Sequence, residues 1–115
     1  MSFLRGDVVR VDWPYSDRTG SKVRPALVVQ ADSLNGLIAD TVLLLISRTH
    51  RALGITEVSV DPTKETGAGL RYLSVVSCNN LLTIDQKWII RSIGRVSPIL
   101  MQQIDDRLKA ALGLI

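Results

Sequence analysis

A chain of 115 residues is one domain by length, 1–115, and its 46% hydrophobic content with a net charge of only +3 excludes a disordered chain. The single cysteine, Cys78, excludes an internal disulfide and a multi-cysteine zinc site; its apolar surroundings in the sequence read as a buried, inert thiol. Residues 1–10 lack the apolar core of a signal peptide and the run 42–46 is far too short to span a bilayer, so no membrane association and a cytoplasmic location are expected.

Residues 8–13 (VVRVDW) are β-branched, alternate in part and stop at Pro14, which predicts a first strand. Residues 16–23 are polar and contain glycine, hence a mobile loop. Pro25 biases Arg24 to extended backbone, and residues 26–30 continue as a buried second strand. Asp32 or Ser33 is placed to cap a short helical turn ending near Asn35-Gly36. Residues 41–47 (TVLLLIS) are apolar on both faces and predict a central third strand, with a basic loop over 48–54. A fourth strand covers 56–60 and a fifth 72–78, followed by Asn79-Asn80 and a short apolar segment. A sixth covers 88–96. Only the tail is helical: Ser97 caps it, Pro98 suits a first helical position, and Gly113 ends it. Its apolar face is expected to run through Ile99, Leu100, Ile104, Leu108, Ala111 and Leu112. Six short strands and one terminal helix predict a mainly β, small closed or half-open barrel with the helix packed on it.

The familiar catalytic signatures are missing: no Walker loop, no nucleophile elbow, no H-E-x-x-H and no carboxylates at metal-ligand spacing, so no metal or other cofactor is expected. His50 is the only histidine, so one chain cannot supply a two-histidine relay. Two classes remain: a binding module, or a catalyst that stabilises charge and uses the substrate's own nucleophile. RNA brings such a nucleophile in its 2′-hydroxyl. Of the 14 basic residues ten are arginine, whose planar fork suits phosphate. Arg18, Lys22, Arg48 and Arg51 fall in two loops placed to flank one groove around Arg24, holding single-stranded RNA by its backbone. Tyr15 borders the first loop as a candidate for base stacking, whereas Trp13 reads as core and Trp88 as packing or a dimer interface.

Five segments in order resemble the MazF/PemK toxins: Gly6-Asp7-Val8-Val9, Val23-Arg24-Pro25-Ala26-Leu27-Val28-Val29, Ile46-Ser47-Arg48-Thr49, Leu82-Thr83-Ile84-Asp85 and Ile93-Gly94-Arg95-Val96-Ser97. The resemblance implies an SH3-like β-barrel with a C-terminal α-helix and the toxin component of a type II toxin–antitoxin system, a homodimeric, sequence-selective endoribonuclease restrained by a cognate antitoxin protein. It implies that Arg24 stabilises the phosphorane. The family's hydroxyl maps onto Ser47, or onto Thr49 if the loop aligns one way further. Some members carry an Arg and an Asp as acid and base where this chain has Ser77 and Asn79. Those two are left as candidate RNA contacts; either the base lies elsewhere in the chain, or Arg24 and His50 divide the proton transfers.

Two rivals stand beside this reading. The same barrel serves CcdB-type gyrase inhibitors, which end in Trp-Gly-Ile. Here the end is Leu112-Gly113-Leu114-Ile115, without the tryptophan. A catalytically inactive RNA-binding barrel is the other.

Overall fold

In the computed structural model, which describes residues 2–48 and 53–114, six antiparallel strands form one curled sheet in the order β4-β5-β3-β2-β1-β6. The strands are β1 (Asp7–Pro14), β2 (Ser21–Val28), β3 (Asp40–Arg48), β4 (Glu57–Val60), β5 (Ser74–Asp85) and β6 (Arg91–Arg95). A single helical turn, α1 (Asp32–Asn35), joins β2 to β3, and α2 (Pro98–Leu112) ends the chain. The half-open barrel with its terminal helix is the architecture the periodicity predicts.

Both faces of the sheet carry core, which is why β1 and β3 read as aliphatic runs rather than strict alternations. Val8, Leu27, Leu44, Ile46 and Val76 pack with Leu100, Met101 and Ile104 of α2 on one face. Val9, Val11, Trp13, Ala26, Val28, Leu43 and Ile89 form the core of the other. Each fully buried valine, leucine or isoleucine contributes about 1.5–3 kcal/mol, and Val8, Val9 and Val11 of β1 with Leu43, Leu44 and Ile46 of β3 are among them.

The helix begins as its sequence dictates. The Ser97 side chain accepts from Leu100 N–H, with Pro98 following it, and Gly113 at φ 69° ends it in the left-handed region. Its buried stripe is Leu100, Met101 and Ile104, with Leu108 and Ala111 half-buried. Ile99 and Leu112, expected on that stripe, are instead exposed. The stripe is narrower because α2 rests on a curved sheet along one line.

Several boundaries differ from the sequence reading. The second strand begins at Ser21, inside the stretch expected to be a loop. What precedes it is a tight turn, in which Asp17 accepts from both the backbone N–H and the hydroxyl of Thr19. It ends at Val28 rather than Gln30. The fifth strand starts at Ser74 and continues through Asn79-Asn80 to Asp85. Leu44 pairs with Leu81 and Leu45 with Ser77, so Cys78, Asn79 and Asn80 form a bulge that absorbs two poor strand formers. Trp88 lies in a 3-10 turn (Gln86–Trp88), capped by the Asp85 side chain, and not in β6. Neither Asp32 nor Ser33 caps α1; Ala31 is its N-cap, without a side-chain bond. Among the described residues no helix is long and apolar enough to cross a membrane.

The gap between β4 and β6 is bridged by the segment 61–70. Arg95 N–H donates to the Gly67 carbonyl at 2.8 Å. The approach is so close that a Cβ on Gly94 would meet Ala68 and Gly67 backbone at 2.4 Å, and one on Gly69 would meet the Ile93 carbonyl at 2.0 Å. Gly69 also holds φ at +74°. These two glycines lock the segment and thereby place residues 69–72 over the sheet.

Candidate active site

The site begins with a proline. The ladder between β2 and β3 runs from Val28 to Ala26, opposite Leu43 to Leu45, and stops where Pro25 comes next. Without an N–H, Pro25 cannot extend the ladder, and the strands part. Carried on in the same register, Arg24 and Ser47 fall opposite one another as the first residues past the opening. The two-residue repeat sets both on the face of Ala26, Val28, Leu43 and Leu45.

An open groove of about 980 Å³ occupies this end of the sheet. Its cations are Arg10 from β1, Lys22 and Arg24 from β2, Arg48 from β3, Arg71 just after the locked segment and Arg91 from β6. Ser47, Tyr72 and Ser74 add hydroxyls, and Val23, Pro25, Ile46, Leu70 and Ile93 an apolar floor. Among the described residues lining it there is no aspartate or glutamate. Elsewhere cations find partners: Arg5 pairs with Asp105, Arg95 with Asp7 at 2.8 Å, and Lys87 with Asp85 at 3.9 Å. Within the groove the Arg48 guanidinium stacks over the Tyr72 ring at 3.5 Å. Six positive charges on low-dielectric walls, with no carboxylate among the described lining, create a field that attracts a polyanion.

Arg24, Lys22, Ser47 and Arg48 are thus brought together as their positions in the sequence suggest. Tyr15 and Arg18 are not among the lining residues: Tyr15 carries the turn before β2, its ring beside Gly20, and Arg18 holds φ at 63° there. Ser77 pairs with Leu45 on one side and Glu57 on the other, and Asn79 accepts from the Thr56 hydroxyl at 3.1 Å; both lie outside the groove. Thr49, His50 and Arg51 fall outside the described residues. Arg10, Arg71, Tyr72 and Arg91 are lining residues that the sequence reading does not single out. Arg10 interrupts the apolar run of β1, and that was their one signal.

Cys78 is fully buried, and burial pushes its thiol up to about 11 against the pull of Arg107, so the thiolate is scarce at neutral pH. Among the described residues, no three or more His, Cys, Asp or Glu side chains lie together as metal ligands would.

This geometry has close parallels among known proteins. The chain is 30% identical over 111 residues to the endoribonuclease MazF1 of Mycobacterium bovis, covering 96% of this chain and 93% of that one. Endoribonuclease MazF4 of Mycobacterium tuberculosis is similar to the same extent. A mycobacterial endoribonuclease solved in complex with its cognate antitoxin superimposes with a TM-score of 0.81 at 29% identity, over 99% of this chain and 98% of that one. Toxin MazF-mt6 of Mycobacterium tuberculosis does so at 0.71 and 26%, over 91% and 96%. The model of the PemK-like, MazF-like toxins of type II toxin–antitoxin systems matches residues 4–112, and the chain belongs to that family.

Proposed function

We propose that this toxin cuts single-stranded RNA without a metal, by attack of a ribose 2′-hydroxyl on the neighbouring phosphorus within the Arg24–Ser47 opening. Endoribonuclease activity follows from the family; the groove supports how it is done. The observation that carries the reading is that Arg24 and Ser47 line one groove just beyond the end of the β2–β3 ladder at Ala26 and Leu45, with six cations and no carboxylate among its described lining.

In the reaction a bond forms from the 2′-oxygen to phosphorus and the bond from phosphorus to the 5′-oxygen breaks. The 2′-hydroxyl gives up its proton, and the departing 5′-oxygen takes one. The products carry a 2′,3′-cyclic phosphate and a 5′-hydroxyl. Arg24 holds the equatorial oxygens as negative charge builds on them, through charge-assisted bonds that strengthen in the transition state. The Ser47 hydroxyl donates to a second oxygen and fixes the phosphate in line. Thr49 is the alternative hydroxyl, and His50, three residues beyond Ser47, is the side chain whose ordinary pKa suits a proton carrier. Lys22 and Arg48 hold the flanking backbone. Tyr15, Arg18, Arg51, Ser77 and Asn79 are the candidates for base preference, and none of them belongs to the groove's described lining.

The toxin acts in the cytoplasm as a single domain over 1–115, restrained by an antitoxin whose acidic or apolar tail covers the groove. It acts as a homodimer. Trp88 and Ile90, exposed on one side of the lead-in to β6 while Ile89 between them is buried, suit a second copy.

Mixed single-stranded RNA incubated with the protein in EDTA tests this. Fragments with cyclic phosphate and 5′-hydroxyl ends are expected. Intact RNA in EDTA, restored to cleavage by a divalent ion, would contradict metal independence, and altered DNA supercoiling without RNA cleavage would favour the gyrase-inhibitor reading.

A further inference from the structure

We propose that Arg10, Arg91 and Arg71 form a second phosphate subsite, which takes a backbone phosphate of the bound RNA other than the one being cut. The inference rests on the endoribonuclease reading of the groove. Arg10 and Arg91 are direct partners across the β1–β6 ladder, so their side chains leave the sheet on the same face. Two guanidinium groups so placed repel each other, and like charges directly opposite weaken a sheet. Among the described residues neither side chain has a hydrogen-bond or ion-pair partner, although this chain pairs Arg5, Arg95 and Lys87 with aspartates. Folding alone gives no reason to keep the pair.

An anion between them does. A phosphate oxygen pair matches the planar fork of each arginine, and its charge turns the repulsion into mutual attraction. Arg71 lines the same groove and joins the subsite from the residues that follow the segment closed by Gly69 and Gly94. The position is distinct from the cleavage site. Arg10 is opposite Pro25, and its strand lies two strand spacings, about 10 Å, from that of Ser47. The two-residue repeat also sets Arg10 with Val8, whereas Arg24 stands with Ala26 and Val28 on the other face. One phosphate cannot serve both sets, and an RNA strand rounding this end of the sheet meets them in turn.

Binding to a single-stranded RNA oligonucleotide, measured against salt concentration, reads the subsite directly. In an Arg24→Ala background, which keeps the strand intact, adding Arg10→Ala and Arg91→Ala is expected to weaken binding several-fold. The slope of log K on log salt should shrink by about 0.7, the loss of one phosphate contact on a single strand. Arg10→Lys with Arg91→Lys should retain most of the slope. With Arg24 intact, the double alanine variant should cleave with a raised KM and a kcat within about twofold of the parent. Its thermal midpoint should match or exceed the parent's, because a repulsion has been removed. An unchanged slope and affinity would overturn the subsite, and so would weaker binding accompanied by a lower thermal midpoint, which marks a structural role. If the parent protein fails to cut RNA yet the slope still falls, the endoribonuclease reading fails and the subsite stands.

Discussion

Arg24 owes its place to its neighbour. Pro25 ends the ladder with β3, and the last paired residues, Ala26 and Leu45, leave Arg24 and Ser47 at the mouth of the opening. Replacing Arg24 by alanine should leave the fold intact, since the side chain is half-exposed and no contact of the core depends on it. It should lower kcat about 10²–10³-fold, the usual effect of removing one donor to a developing oxyanion. Ser47→Ala and Thr49→Ala, assayed separately, assign the hydroxyl: Ser47→Ala is expected to be the crippling change. A near-normal Ser47→Ala with an inactive Thr49→Ala would reverse the assignment. Cys78 belongs to stability instead. Its folded thiol titrates near 11 against 9.0 for the free group, so folding favours the neutral form. That contribution is complete below pH 9 and is lost as pH rises from about 9 to about 11. Denaturation midpoints should fall across that window, and less so in Cys78→Ala; a parallel fall in both would deny the thiol this part. Arg24, Ser47 and Arg48 were legible because they flank strand ends that the sequence marks with proline and aliphatic runs. Arg10 and Arg91 were not, because they are 81 positions apart and only the register of β1 against β6 makes them neighbours.

At the scale of elements, the closure between β6 and the segment 61–70 controls the far wall of the groove. Gly94→Ala would drive a Cβ into backbone at 2.4 Å, where no flexible side chain can yield. Overpacking of this kind costs about 1–3 kcal/mol, and the shift carries Arg71 and Tyr72 with it. Lower thermal stability together with weaker RNA binding is therefore expected. Normal values for both would show that the segment is not locked as described. The start of α2 is a second control. Ser97 accepts from Leu100 N–H and its hydroxyl donates to Glu65 at 2.6 Å, so Ser97→Ala should cost about 1 kcal/mol, read as a lower denaturant midpoint. The helix and its caps were legible from local chemistry alone. The course of β5 was not: Asn79-Asn80 reads locally as a break, yet the strand passes through it, because pairing with β3 on both sides of the bulge outweighs the local propensity. Trp88 misled in the other direction, being a good strand former held in a turn by the cap that Asp85 provides.

For the whole molecule, the order of strands and the distribution of charge act together. The radius of gyration is 13.3 Å, the value of about 13 Å expected for a folded chain of this length, so the groove is a feature of a filled structure and not a gap in a loose one. The net charge of +3 understates the field, because carboxylates pair with cations elsewhere while the groove's described lining carries only positive charge. If the RNA supplies its own nucleophile, the 2′-hydroxyl beside the cut is indispensable. The decisive measurement compares an RNA oligonucleotide that the toxin cuts, in EDTA, with the same oligonucleotide carrying one 2′-deoxy sugar on the 5′ side of the cleaved bond. Cleavage at that bond should disappear while binding persists; cleavage of the 2′-deoxy bond at a comparable rate would rule out the RNA's hydroxyl as the nucleophile.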